Sequence, residues 1–411
     1  MNEGRTGVWF VGARGSVATT ATVGLAALAE GIARPVGLVT AGPAFDGVPL
    51  PDFDDFVVGG HDVDETPLVE RARRLAAGGM IPAATVEAVV PRLEAADAEI
   101  RLIPRAARGS QQREIDLRAE DIRSFRERHD LRRVVVIDVA STEPLPVDRP
   151  EFHDHDALVA ALAQEGVELL PSSTLSALAA VTAAGTPYAC FTPSISLGIP
   201  ALHAVAAEAG VPIAGQDGKT GETLLRTVLA PMFSSRGMRV LSWAGANLLG
   251  GGDGATLADP AAVESKLASK NRGLHDLLGH DVVTPLHIDN VPDLGDIKTA
   301  WDHVHAEGFL DTRITLQTTW TAYDSTLAAP LVIDLARLLT LADEAGLSGP
   351  VAELGYFFKD PWGSDVHDFS RQATELYAWA HATGERVAAA TSAVASATTS
   401  VAARSTEALG R

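Results

Sequence analysis

Apolar and polar positions alternate along this chain in two different rhythms. Up to about residue 236, short unbroken apolar runs are separated by Ala- and Leu-rich stretches with helical spacing. Residues 7–11 (GVWFV) form the first run, a Gly-containing turn follows, and 19–31 (TTATVGLAALAEG) reads as a helix. Residues 132–144 (RRVVVIDVASTEP) form a second buried strand with a polar exit at Ala140, Ser141, Thr142 and Glu143. The alternation continues through 167–185 (VELLPSSTLSALAAVTAAG), 187–210 and 211–233 (VPIAGQDGKTGETLLRTVLAPMF), whereas 67–133 are charged and Ala/Arg-rich and read as helices and connectors. Apolar strands alternating with helices predict an α/β fold built on a doubly wound parallel sheet. In such sheets ligands bind at the polar loops beyond the carboxyl ends of the strands.

After residue 236 the rhythm changes. Residues 239–254 (RVLSWAGANLLGGGDG) are strand-like, and 260–279 read as a helix from Pro260 to the stop at Gly279. Residues 282–296 and 312–326 (TRITLQTTWTAYDST) alternate apolar with polar, as half-buried antiparallel strands do. The predicted organisation is therefore a first domain over 1–236, completed by 327–411, with an inserted α+β domain over 237–326. Residues 327–346 predict a strong amphipathic helix returning to the first domain, and the tail after about 370 an Ala/Thr/Ser-rich helix or partial disorder. Alternate apolar positions in a sheet at 281–322 would leave a face exposed in a monomer, the usual mark of an interface.

Composition narrows the function. A chain of 411 residues, 46% hydrophobic, can bury a large core. Its formal net charge of −20 argues against nucleic-acid or anionic-membrane partners, while leaving room for a phosphorylated small molecule in a local basic pocket. No apolar run is read as long enough to span a bilayer, and the amino terminus lacks a basic-then-apolar leader pattern. The single cysteine, Cys190, precludes an intramolecular disulfide and fits a reducing cytoplasm. The short His/Asp clusters at 152–157 and 302–308 lack a zinc-site framework and read as solvated segments.

The turn Gly12-Ala13-Arg14-Gly15-Ser16-Val17-Ala18 sits between a strand and a helix, the context that a dinucleotide pyrophosphate needs. As a pattern, G-x-x-G-x-x-A is weak by itself. An acid for the adenosine ribose ordinarily follows about 20 residues on. Asp46 lies in a Gly/Pro-rich loop and suits that role poorly; Asp62, after the apolar Phe56-Val57-Val58, is better placed at a strand end. An acid there favours NAD over NADP.

The positive charges carry the sharpest signal. Of 33 lysines and arginines only five are lysines: Lys219, Lys266, Lys270, Lys298 and Lys359. Four fall within 215–302. Codon bias towards arginine explains the scarcity but not the clustering. Arginine stays charged, whereas lysine can be driven towards neutrality by burial or by a neighbouring cation, so a region that keeps lysine needs proton transfer. Lys266 and Lys270 lie i,i+4 on the expected helix, where mutual repulsion lowers one pKa.

Five ordered motifs then come into register: GQDGKTGET at 215–223, SKLASKN at 265–271, LGDIKTAWD at 294–302, YDSTLAAPLVIDL at 323–335 and GYFFKDP at 355–361. In these the chain resembles the myo-inositol-1-phosphate synthases, weakly to about 130 and strongly from about 170 to 362. The resemblance implies a Rossmann-like NAD domain, an inserted domain for catalysis and oligomerisation, a homotetramer, and a sugar-phosphate substrate, and leaves open whether a monovalent or divalent cation is used. It implies Lys266, Lys270, Lys298 and Lys359 as the catalytic set: Lys266 the C5 proton shuttle assisted by Lys359, Lys298 and Lys270 serving the enolate and C1 oxygens. Asp217, Asp296, Asp324 and Ser325, with Ala140, Ser141 and Thr142, would line the cofactor. Lys219, Thr220, Gly221, Gly251, Gly252 and Asp253 would face the substrate phosphate.

The chain departs from the family where glycines are usual at Arg14 and Ala18, and an arginine at 14 is expected to bring charge near the pyrophosphate. It departs again at Gly251 and Gly252, where the family carries asparagines. Two amides are lost and space is gained, so a ketohexose 6-phosphate closing to another ring remains an alternative substrate. A simple dehydrogenase that releases NADH and a non-catalytic NAD-binding relative are the other readings.

Overall fold

The computed structural model describes residues 4–105, 109–250, 274 and 277–409, with side chains described to 392. Seven parallel strands form the main sheet: β1 (Thr6–Val11), β2 (Phe56–Asp62), β3 (Ile100–Leu102), β4 (Arg133–Asp138), β5 (Tyr188–Cys190), β6 (Pro212–Gly215) and β11 (Gly349–Pro350). They run in the order β11-β6-β5-β4-β1-β2-β3. Successive side chains in a strand point to opposite faces, and the core divides accordingly. Val8, Phe10, Val135 and Ile137 pack beneath the helices Ser16–Ala29 and Asp324–Glu344. Trp9, Val11, Val134 and Val136 pack beneath the helices Gln111–Arg128 and Ser172–Leu178. Helices on both faces of a parallel sheet are the predicted doubly wound arrangement. The chain reverses direction of winding between β1 and β4, so a crevice opens there at their carboxyl ends.

A second sheet has the order β10-β9-β7-β8, from β7 (Arg239–Leu249), β8 (Leu286–Asn290), β9 (Ile297–Glu307) and β10 (Arg313–Tyr323). It is mixed and not antiparallel throughout as expected: β7 pairs antiparallel with β9, but parallel with β8. Nor is the alternating apolar set left bare. Val304, Ala306, Ile314 and Leu316 are packed with Phe233 of the helix Gly221–Ser235 and with Trp243. The outward face carries threonines, His303, His305 and the exposed Trp301 and Leu248.

Two other sequence expectations change. Residues 167–170 (VELL) form no strand, because the Gln111 side chain takes over the backbone groups that a sheet would pair: its Oε1 accepts from Leu169 N and Leu170 N at 2.9 Å each, and its Nε2 donates to Leu170 O. The tail, by contrast, takes the helical one of its two expected forms, as one helix Phe369–Leu409. The helix Asp324–Glu344 is long and apolar enough by composition to cross a membrane, contrary to the expectation that no run is, but most of it is buried against the seven-stranded sheet and the helix Ser16–Ala29.

Candidate active site

β1 delivers the Gly turn to the crevice. Gly12 has φ +83°, and a Cβ on it would sit 2.7 Å from Ala140 Cα, so the two loops of the switch point touch in a way only glycine allows. Gly12 N and Ala13 N donate to His61 O, which sets the turn beside the end of β2. There Asp62, the last residue of β2, is buried and accepts from Arg14 N at 2.6 Å, Val63 N at 2.7 Å and Asp64 N at 2.8 Å. Its late position has a simple cause: residues 39–55 are spent on three short 3₁₀ turns before β2 begins. The Arg14 guanidinium does not face the turn, contrary to expectation. It is buried against Asp97 Oδ1 at 3.0 and 3.1 Å and Asp64 O at 2.9 Å, which neutralises its charge. Gly15 and Ser16 open the helix Ser16–Ala29, and Val17 lies half-buried in its first turn. On the other side of the crevice, Ala140 N is held by Asp138 Oδ1 at 3.0 Å, while Ser141 and Thr142 are exposed. Burial pushes the Asp138 carboxyl up to about 7. A bare glycine cradle, a helix amino end and a carboxylate at the end of β2 together fit a dinucleotide. The exposed apolar Val63 and Leu102, at the carboxyl ends of β2 and β3 next to Asp62, were not singled out in the sequence and offer a surface for an adenine ring.

Beyond β6 the GQDGKTGET and GYFFKDP segments pair as a short antiparallel ladder. Gln216 and Asp360 exchange both backbone hydrogen bonds, Lys359 N donates to Asp217 O at 2.7 Å, and Lys219 N to Phe357 O at 2.8 Å. Gly218 is required at the crossing, since a Cβ would fall 2.2 Å from the Phe191 ring. The ladder sets Lys359 Nζ 2.8 Å from Asp217 Oδ1. Burial pulls the Lys359 pKa down, but the charge and hydrogen bond of Asp217, with the charges of Asp324 and Asp360, outweigh it and hold the pKa above the ordinary lysine value. From the second sheet, Lys298 on β9 places Nζ 2.9 Å from Asp324 Oδ2, where β10 runs straight into the helix Asp324–Glu344. Because the charge of Asp324 also acts on Lys359, the two lysine–aspartate pairs, drawn from four segments, are neighbours. Ser325 is half-buried at the start of the same helix, and Asp296 is exposed on the turn before β9.

Lys219 is different. It is buried, its Nζ donates to Gln372 Oε1 and lies 5.8 Å from the Phe369 ring centre, and no acid among the described residues offsets its burial, which pulls its pKa down to about 7. It faces the carboxyl-terminal helix, while Thr220 and Gly221 (φ +56°) present the amino end of the helix Gly221–Ser235 towards Asp324 and Trp320. Trp320 Nε1 is buried and has no partner among the described residues. Beneath this helix end lies a buried network: Arg226 Nη2 reaches Glu222 Oε1 at 2.6 Å and Asp302 Oδ1 at 3.2 Å, Trp243 Nε1 donates to Asp302 Oδ1, and Asn247 Nδ2 donates to Glu222 Oε2 at 2.7 Å. Burial and the nearby Glu222 raise the Asp302 pKa. Asn247 escaped the sequence reading because nothing in β7 marks it, yet it stands two residues before Leu249, at the end of the strand. Lys266, Lys270, Gly251, Gly252 and Asp253 lie outside the described residues. Among the described residues no group of three His, Cys, Asp or Glu side chains is placed to hold a metal ion.

Fold and crevice together define a dinucleotide-binding enzyme of the doubly wound class, with a lysine site where a second sheet meets the first. A sequence model described as myo-inositol-1-phosphate synthase matches residues 6–381, and the chain belongs to that family. It is 32% identical over 404 residues to inositol-3-phosphate synthase 1 of Bacteroides thetaiotaomicron, covering 90% of this chain and 91% of that protein. It is 29% identical to inositol-3-phosphate synthase 1 of Oryza sativa subsp. japonica, covering 82% and 75%. Among solved structures, inositol-3-phosphate synthase of Caenorhabditis elegans superposes with a TM-score of 0.80 at 24% identity, over 93% of this chain and 86% of that one. A myo-inositol-1-phosphate synthase-related protein of Thermotoga maritima gives a TM-score of 0.73 at 23% identity, over 92% and 98%. These two establish the fold.

Proposed function

We propose that the chain is an NAD-dependent cyclase that converts glucose 6-phosphate to an inositol phosphate. The observation that carries this reading is the pair Lys359–Asp217 neighbouring the pair Lys298–Asp324, in a member of this family. The relatives do not favour a ketohexose substrate, net dehydrogenation or a non-catalytic role.

The chemistry asks for a base, cations and a phosphate anchor in one place. Bound NAD supplies the acceptor, and later the donor, of one hydride at substrate C5, with no net redox change. As the C5 hydride leaves, the hydroxyl proton must pass to a base. Lys359 is held as an ammonium by Asp217, so it serves as a charged donor to the C5 oxygen, and the proton goes elsewhere. Family resemblance gives that task to Lys266. The C5 ketone acidifies C6; a C6 proton is removed, the C6–C1 bond forms, and the C1 oxygen takes up a proton. Lys298, fixed by Asp324, is suited to the enolate or C1 oxygen. The helix end at Thr220–Gly221 suits the phosphate, with the Trp320 indole N–H as a further donor. Asp62, accepting three backbone amides beside the Gly turn, favours ribose hydroxyls over a 2′-phosphate.

Assembly belongs to the same reading. A homotetramer would cover the outward face of the second sheet, where Trp301 and Leu248 are exposed; light scattering that finds only monomer at micromolar concentration would refute it. Cys190, buried at the end of β5 with its thiol pushed up to about 12 by burial, suits a reducing cytoplasm. The deciding experiment is incubation with NAD⁺ and either glucose 6-phosphate or fructose 6-phosphate, with products read by NMR and cofactor by absorbance. Carbocycle from glucose 6-phosphate without NADH accumulation is the expected result. Accumulating NADH, or no turnover of either sugar, overturns the reading.

A further inference from the structure

The first turn of the carboxyl-terminal helix reaches into the foundations of the lysine site. Gln372, 3% exposed, uses its whole side-chain amide there. Its Oε1 accepts from Lys219 Nζ, and its Nε2 donates to Gly355 O at 3.1 Å and Val366 O at 2.6 Å. Lys219 belongs to one arm of the ladder, and Gly355 begins the segment that carries the other arm with Lys359. Phe369, three residues earlier in the same turn, has its ring centre 4.9 Å from that of Tyr356 and lies under the Lys219 ammonium. One amide therefore ties together the segment bearing Asp217, the segment bearing Lys359 and the helix itself. A buried amide with both ends engaged has no slack: losing it strands a buried lysine and two carbonyls at once.

We propose that Gln372 is a positioning residue for the reaction: through Lys219 and Gly355 it holds the two arms of the ladder in the register that keeps Lys359 on Asp217. Lys219, on this account, is a strut and not a ligand of the substrate phosphate. The proposal rests on the reading of Lys359 as part of the active site. The groups that set the charge of Lys359 are Asp217 and Asp360 on the ladder and Asp324 at the helix start, the last shared with Lys298. Slippage of the ladder would take Asp217 away and let burial act on Lys359, so its pKa would fall.

The test compares Gln372→Met and Lys219→Met, which remove opposite partners of one hydrogen bond, and the double variant, in the full-length protein. Three readouts are taken: hydrogen exchange of peptides spanning 215–221 and 355–362, kcat and KM for the sugar phosphate, and the pH profile of kcat. In each single variant the ladder amides should exchange faster, kcat should fall about ten- to a hundredfold as for an ångström-scale misplacement, and KM should stay within about threefold. The alkaline limb should move to lower pH, and the double variant should be no worse than the poorer single one. The exchange readout needs no turnover, so failure of the proposed reaction in the wild-type protein is distinguishable from failure of this proposal. A Gln372→Met protein that is merely less stable, with wild-type ladder exchange, kcat and pH profile in its folded fraction, overturns it. So does a Lys219→Met protein with normal kcat and a greatly raised KM, which would make Lys219 a substrate ligand.

Discussion

Lys219→Met should make this protein more stable at neutral pH and less stable at alkaline pH. Methionine matches the length of the lysine stem and fills the same space beside Phe369. Lys219 has an ordinary pKa of 10.5 and is brought down to about 7 by burial, with no acid among the described residues to compensate. That difference is worth roughly 5 kcal/mol between folded and unfolded chains. The unfolded chain keeps the proton up to pH 10.5, whereas the folded chain releases it near 7. In between, the unfolded state binds more protons, so wild-type stability rises with pH by about 1.4 kcal/mol per pH unit and is flat below the window. The methionine variant has no such dependence. It does leave Gln372 Oε1 without its donor, a pH-independent penalty of about 1–3 kcal/mol.

The two effects cross. Below pH 7 the variant should gain about 2–4 kcal/mol over the wild type, and by pH 10 it should be the less stable by about 1 kcal/mol. Urea titrations at fixed ionic strength from pH 6 to 10 measure this directly, with the variant curve subtracted from the wild-type curve. Parallel dependences for the two proteins across the whole range would refute the argument, because they would mean that Lys219 keeps its proton in the folded state. A substitution that stabilises the protein at pH 7 and still lowers kcat would also mark a residue retained for positioning at the expense of stability.

Other perturbations test the remaining parts of the site. Asp217→Asn removes the main charge opposing burial at Lys359, so the alkaline limb of kcat/KM should shift to lower pH with at least a tenfold fall in kcat, read by steady-state kinetics; an unmoved limb would detach Lys359 from the profile. Lys298→Arg keeps a cation beside Asp324 and should retain more rate than Lys298→Met, and equal losses would contradict an electrostatic role. Asp62→Ala should weaken NAD and narrow the preference over NADP in calorimetric titrations, and unchanged NAD affinity would remove Asp62 from the ribose site. Trp320→Phe deletes one indole N–H that has no partner among the described residues and should raise KM for the sugar phosphate severalfold with little change in kcat; an unchanged KM would free Trp320 from the substrate.

Much of the architecture could be read from the chain because apolar runs and Gly turns report local geometry. β1, β4 and β6 stand where their runs predicted, and Asp62 ends β2 despite its unusual distance from the Gly turn. Where the reading failed, a side chain from far away in sequence had taken over. Residues 167–170 look like a strand, but Gln111, on a helix more than fifty residues earlier, satisfies their backbone. Arg14 looks like a charge aimed at a pyrophosphate, but Asp97, on a separate helix, turns it aside. β8 alternates as an antiparallel strand would, and alternation carries no information about strand direction. Asn247 and Gln372 sit in segments with no local mark, and their importance comes from partners at positions 222, 219 and 355.

The lysines show the same limit most sharply. Their scarcity picks out the region, but it gives all five the same chemistry. Lys219 and Lys359 lie on facing arms of one short ladder, and both are taken largely out of water. Desolvation acts on both in the same direction. What separates them is a carboxylate: Asp217 meets Lys359 at 2.8 Å, with Asp324 and Asp360 adding to it, while among the described residues Lys219 meets an amide and a ring. One becomes a fixed cation and the other a lysine near neutrality at physiological pH. Arginine suits neither position: a guanidinium buried beside Gln372 would stay charged and would not fit the single acceptor offered to it, and on Asp217 it would present a wide planar fork in place of a compact ammonium. The avoidance of arginine thus has two distinct causes a few residues apart: at Lys219 the need to shed charge on burial, and at Lys359 the need to place a compact donor on one carboxylate oxygen.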